Sequence, residues 1–222
     1  MIERTSREHV LHILKTNQTT WRILDIGCNK DAVQYAQTVA DIKNFSEFYK
    51  DKEFVLIKNK DLPFKDNQFD FVYASHVIEH VDDISYFVKE LQRISKQGYI
   101  ELPSMLEDNL VLSDNSIKDH KWFFQFDDVN KILLAEKKKQ FIEPFLTHGI
   151  LFSNLRKNFR SSLVLELLWK NEINYEFKNF SVPVKKTFFL TIIKKYFRFL
   201  IRNNKLASLL VLIVFVFVFL IF

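Results

Sequence analysis

From residue 6 to residue 103 the apolar positions change period repeatedly, and each change predicts an element. Val10, Leu11, Ile13 and Leu14 stand among polar neighbours after Ser6, which predicts a short helix over 6–16 with Ser6 as its N-cap. Trp21-Arg22-Ile23-Leu24-Asp25-Ile26-Gly27 is a short apolar run closed by an acid and a glycine, the pattern of a buried parallel strand entering a turn. Residues 31–38 suit a helix, and Val39-Ala40-Asp41 the end of a second strand. Phe54–Ile57 predicts a third strand and Phe69–Ala74 a fourth. Ile84, Phe87, Val88, Leu91 and Ile94 share one face of a helix over 84–95, which Gly98 ends. Tyr99–Leu102 begins a fifth strand, stopped by Pro103. Strands alternating with helices predict an α/β domain with a mainly parallel sheet, which binds ligands outside the carboxyl ends of its strands.

After Pro103 the pattern changes. Trp122–Phe126 and Ile132–Ala135 flank the turn-rich Asp127-Asp128-Val129-Asn130, which predicts a β-hairpin. Leu163–Trp169 and Ile173–Phe177, around Lys170-Asn171-Glu172, predict a second. Residues 104–180 are therefore expected to be antiparallel additions to the parallel core.

The end of the chain is different again. Leu206–Phe222 is apolar throughout except for Ser208. As a helix it would extend about 25 Å, near the lower limit for a hydrocarbon core about 30 Å thick. Its alternating Val and Phe favour a strand by propensity, but a lone strand in lipid leaves its backbone groups unpaired, so a helix is expected. In 181–205, Lys194, Arg198 and Arg202 recur one turn apart among Phe, Ile, Tyr and Leu, as in an amphipathic helix on an anionic leaflet. The expected organisation is a domain over 1–180, a basic juxtamembrane segment over 181–205 and a transmembrane helix over 206–222. The cations favour a cytoplasmic position for everything before that helix. The charged start, Met1-Ile2-Glu3-Arg4, predicts no secretory leader.

Composition adds limits. With 222 residues, 48% hydrophobic and 27% charged, the chain can bury a sizeable core, and disordered or fibrous classes are excluded. Cys28 is the sole cysteine, so no internal disulfide forms. The net charge of +5 comes from the tail: from Ser181 onward there are Lys185, Lys186, Lys194, Lys195, Arg198, Arg202 and Lys205 and no acid. The rest is slightly acidic and carries no basic stripe with interleaved aromatics, which argues against nucleic acid as partner.

Candidate chemistry lies at the strand ends. Gly27 lets a backbone approach a ligand, and Asp41 at the next strand end is placed to accept both hydroxyl protons of a ribose. Three later stretches give this meaning: Leu62-Pro63-Phe64-Lys65-Asp66-Asn67-Gln68-Phe69-Asp70-Phe71-Val72, then His76-Val77-Ile78-Glu79-His80-Val81-Asp82-Asp83, then Leu91-Gln92-Arg93-Ile94-Ser95-Lys96-Gln97-Gly98. In this order they closely resemble the class I S-adenosylmethionine-dependent methyltransferases, above all the type 11 small-molecule group that includes quinone-biosynthesis enzymes. The resemblance covers about residues 21–103. Gly98-Tyr99-Ile100-Glu101-Leu102-Pro103-Ser104 followed by His120-Lys121-Trp122 also resembles a subgroup associated with cell-surface glycan or lipid pathways.

The resemblance implies a Rossmann-like fold and S-adenosylmethionine as methyl donor. It places Asp25, Gly27 and Cys28 at the methionine and ribose part of that cofactor, Asp41 on the ribose hydroxyls and Asn59 at adenine. Replacing Asp41 is then expected to weaken cofactor binding and leave folding intact. Where the family has Asp-x-Gly-x-Gly-x-Gly, this chain has Asp25-Ile26-Gly27-Cys28-Asn29-Lys30-Asp31; Asn29 tolerates positive φ, Asp31 much less so. Lys58 stands where the family often has an acid, hence Asn59. Methyl transfer needs chiefly in-line positioning, and a base only where the acceptor must lose a proton. His76 is the candidate base, a helix-capping role being its other reading, and His120 is a second candidate on the substrate side. No metal ligands are assigned.

The expected function is methyl transfer at a membrane surface to a small molecule such as a lipid-linked saccharide or a quinone precursor. Two other readings stay open. One is a binding or scaffold protein that keeps the fold without the cofactor. The other is a zinc peptidase, since His76-Val77-Ile78-Glu79-His80 matches H-x-x-E-H.

Overall fold

Every side chain of strand β2 (Ile23–Ile26) is buried, as a parallel strand covered on both faces requires. In the computed structural model, which describes residues 1–105, 107, 119–138 and 160–178, β2 lies inside a seven-stranded sheet. In chain order the other elements are β1 (Ile2–Arg4), α1 (Arg7–Asn17), β3 (Thr38–Asp41), β4 (Glu53–Leu56), β5 (Phe71–Ser75), a 3-10 turn (Ile78–His80), α2 (Ile84–Ile94), β6 (Gln97–Pro103), β7 (Trp122–Asp127), β8 (Ile132–Lys137), α3 (Arg160–Leu163), β9 (Val164–Lys170) and β10 (Tyr175–Phe177). The large sheet runs β1-β9-β6-β5-β2-β3-β4, parallel from β6 to β4, with β9 antiparallel between β6 and β1. This is the Rossmann-like, mostly parallel sheet that the sequence predicts. β7, β8 and β10 form a separate small sheet.

Each face has its own core. α2 lays Ile84, Val88, Leu91 and Ile94 against Leu24, Ile26, Val72 and Ile100, and Trp122, Phe124 and Leu133 of the small sheet extend that cluster. On the other face α1 supplies Val10 and Leu14, and Ser6 caps it by accepting the His9 N–H.

Residues 31–38 do not form the expected helix. Val33 and Ala36 are buried as a helical face would be, but the nearby N–H groups have other partners. Val33 donates to Asp25 Oδ2 at 2.6 Å and Ala32 to the Tyr49 hydroxyl at 3.0 Å. Side chains from neighbouring elements thus satisfy amides that an α-helix would pair internally. The second expected hairpin is also absent. β9 enters the large sheet and β10 pairs in parallel with β8, because the buried Val164–Leu167 run and Trp169 fill the slot beside β6. Gly98 ends no helix; it lies within β6, and α2 ends at Ile94, where the Ser95 N–H bonds Leu91 O. The hairpin Trp122–Asp127/Ile132–Lys137 forms as expected.

The chain divides into two units, Met1–Phe180, which holds the described residues, and Ser181–Phe222. The second, with the amphipathic segment expected at 181–205 and the helix expected at 206–222, lies outside the described residues. Among the described residues no helix is long and apolar enough to cross a membrane.

Candidate functional site

Three parallel strands, β2, β5 and β6, direct their carboxyl ends to one cavity of about 310 Å³, at the small end of the range for ligand pockets. Asp25, Gly27, Cys28, Asn29 and Asp31 line it from the β2 side, and Tyr73, Ser75 and His76 from β5. Glu101 of β6, Arg160 of α3 and Arg7 of α1 complete the wall.

The β2 turn depends on two left-handed residues. Gly27 has φ +74°, and a Cβ there would lie 2.3 Å from Val77 Cγ2. Asn29 has φ 43° and takes the place of the family's second glycine. Asp31 stands at the third and has no positive φ. The amides of Gly27 and Cys28 both donate to Ala40 O, at 2.7 and 3.3 Å. These residues therefore give a ligand a close backbone surface rather than free donors. Burial pushes the Cys28 thiol up to about 12, so it is no thiolate nucleophile. Burial also raises Asp25, to about 7, against the Val33 hydrogen bond.

His76 lies between two carboxylates, with Nδ1 3.1 Å from Glu79 Oε1 and Nε2 3.4 Å from Glu101 Oε1. Burial lowers its pKa, but the hydrogen bonds to Glu101 and Glu79 outweigh that and hold it at about 9. The two carboxylates favour the protonated ring, the form that donates a proton rather than accepts one. Its φ of +54° also places it before, not within, the turn at Ile78–His80. The H-x-x-E-H residues thus share no α-helix, and His76 pairs with the glutamate that a peptidase would use as base. Burial opposes ionisation of Glu101, yet His76, the Tyr99 hydroxyl at 2.6 Å and Arg160 at 2.8 Å keep it well below the usual carboxylate range.

The structure thus brings Asp25, Gly27, Cys28 and His76 together. Asp41, Asn59 and His120 do not line the cavity. Asp41 accepts the N–H groups of Asn29 and Lys43, at 3.0 and 2.9 Å, behind the turn. Asn59 is exposed, and His120 is buried against His80. Tyr73, Ser75 and Glu101 escaped the sequence reading although they sit at the strand ends it had predicted. Arg160 carries no local signal, because it arrives through the insertion of β9.

The cavity fits the methionine end of S-adenosylmethionine. The Tyr73 hydroxyl is buried on its wall with no hydrogen-bond partner among the described residues, Asp31 offers negative charge to a sulfonium or an amino group, and the buried Asp25 does so in its ionised form. Asp41 has acceptor sites left for hydroxyls, since a carboxylate has about four.

Residues 9–100 match the family described as "Methyltransferase domain". Among solved structures, the YcgJ protein of Bacillus subtilis is 21% identical over 44% of this chain and 52% of its own, with a TM-score of 0.37. A SAM-dependent methyltransferase of Thermotoga maritima is 16% identical over 73% of this chain and 87% of its own, with a TM-score of 0.44. The methyltransferase CalH, solved with SAH, is 15% identical over 43% and 35%, with a TM-score of 0.35. The chain thus spans about half the length of YcgJ and about a third of CalH.

Proposed function

We propose that this chain, a class I S-adenosylmethionine-dependent methyltransferase of the type 11 group by its match over residues 9–100, methylates an anionic small molecule presented at a membrane surface. The observation that carries the reading is the charge arrangement of one cavity. Its lining includes the acids Asp25 and Asp31, suited to a cationic cofactor, and also the cations Arg7 and Arg160. Arg160 is paired with Glu101 and Glu166. Arg7 is exposed and its guanidinium has no ion-pair partner among the described residues, so it suits a phosphate or carboxylate on the acceptor.

The bound cofactor supplies a methyl group already activated by a sulfonium. The protein's part is to hold and orient. Tyr73 and Asp25 line the cavity, and the contacts of Glu101 with His76, Tyr99 and Arg160 hold its β6 wall in place. The basic segment 181–205 and the apolar stretch 206–222 support a membrane-bound acceptor such as a lipid-linked saccharide or a quinone precursor.

The test uses the full chain in detergent. Titration calorimetry should give micromolar binding of S-adenosylmethionine and S-adenosylhomocysteine. Label from a methyl-tritiated donor should pass to an acidic lipid fraction, at least tenfold less with Arg7→Ala. A folded sample that binds neither compound would favour a scaffold role. Label passing equally well to neutral acceptors would remove the anionic assignment.

A further inference from the structure

Glu79 lies at the seam between the two sheets, and its side chain is wholly buried. Oε1 is held by His76 Nδ1, while Oε2 has no hydrogen-bond partner among the described residues. A buried carboxylate oxygen with no donor is costly to leave so, and its open lone pairs suit a further ligand such as a metal ion. Two imidazoles adjoin it. The rings of His80 and His120 meet edge to face, with centroids 4.7 Å apart, and ligand atoms of Glu79, His80 and His120 all lie within 4.8 Å of one another.

The surroundings resemble those of a built site. His80 Nδ1 lies 3.3 Å from the Asp119 carbonyl, a bond that fixes the tautomer and leaves Nε2 with the lone pair. The segment bearing His120 is stitched to the turn bearing Glu79 and His80. Lys121 N–H donates to Glu79 O at 2.7 Å, Trp122 Nε1 to Val81 O at 2.8 Å, and Lys121 Nζ lies 2.7 Å from Asp82 Oδ1.

We propose that Glu79, His80 and His120 bind one zinc ion that clamps the small sheet to the end of β5. Two imidazoles and a carboxylate are a common zinc donor set with a fourth position open to water, and side-chain rotation must draw these ligand atoms, now within 4.8 Å of one another, closer to reach the usual bond lengths of about 2.0–2.2 Å. Glu79 is a ligand here, unlike in the peptidase motif, and His76 is not. His76 instead orients Glu79, so the ion would hold the histidine at the cavity wall indirectly. The site stands apart from methyl transfer and does not depend on it.

The full chain, without a histidine tag, is stripped with a chelator and titrated with zinc against a chromophoric competitor. One equivalent per chain is expected at submicromolar affinity, with a rise in Tm. Glu79→Gln and His120→Asn should each weaken uptake at least tenfold and abolish the rise. Replacing His9 and His12, both exposed on α1, should change neither. Circular dichroism checks folding, and His120→Asn decides if Glu79→Gln does not fold. No stoichiometric uptake, or uptake that survives both site variants, overturns the proposal.

Discussion

Oδ2 of Asp41 accepts the backbone N–H of Asn29 at 3.0 Å, so the acid that ends β3 holds in place the left-handed turn that follows β2. Oδ1 accepts the N–H of Lys43 at 2.9 Å, within the loop that follows β3. Asp41 is thus a structural support of the turn as well as a candidate ribose ligand.

Asp41→Ala should therefore lower stability and cofactor affinity together, contrary to the expectation that folding is untouched. Leaving these N–H groups without an acceptor costs about 1–3 kcal/mol. Asp41→Asn keeps one acceptor oxygen and should lose less. Urea midpoints beside calorimetric titrations decide this: lost affinity at unchanged stability would make Asp41 a ligand only.

Asp25 makes stability depend on pH. Its carboxyl titrates near 3.8 when unfolded and near 7 in the folded chain, because burial disfavours the charge. The native state therefore binds the extra proton. The resulting stabilisation is complete below about pH 4 and is lost as pH rises to about 7, a change of roughly 4 kcal/mol. Asp25→Asn removes that dependence while leaving an oxygen for Val33. Denaturation curves from pH 4 to 8 should show wild type falling relative to the variant, and parallel curves would contradict the burial argument.

Arg93 binds a whole loop. Its guanidinium reaches Phe64 O at 2.7 Å, Leu62 O at 3.1 Å and both oxygens of Glu90, which in turn accepts the Leu62 N–H. Lysine keeps the charge but not the fork. Arg93→Lys should cost about 2 kcal/mol in a thermal or urea melt, and an unchanged melt would show the fork to be dispensable.

Gly98 has no room for a side chain. A Cβ there would lie 2.4 Å from Val72 O and 2.7 Å from Trp169 Nε1. Gly98→Ala should destabilise by about 1–3 kcal/mol or more and shift the fluorescence of the buried Trp169. An intact emission spectrum at wild-type stability would mean that β9 yields more easily than its packing indicates.

The clamp also explains why the sequence was legible. Leu62, Phe64 and Arg93, in the stretches that carried the family resemblance, bind to one another, so those motifs record a loop held against α2 as much as a reaction. The helix α2 was readable because its apolar face is local, and β2 and β5 because strands covered on both faces are continuous apolar runs. The loop at 31–38 looks helical in sequence because burial of Val33 and Ala36 imitates a helical face, while the groups that pair its amides, Asp25 and Tyr49, lie elsewhere in the chain. The partition of β9 and β10 was missed for a similar reason: a strand's pattern records that it is buried, not beside which neighbour.

By itself the sequence determined the alternating α/β core, the strand ends where ligands gather and the left-handed tolerance of Asn29, since each follows from local periodicity or the steric limits of one residue. Only the tertiary structure decided that His76 is bracketed by Glu79 and Glu101, that Arg160 reaches the cavity and that His120 meets His80 and Glu79. These relations join residues far apart in the chain, and their charge states depend on burial and on partners that no local pattern encodes.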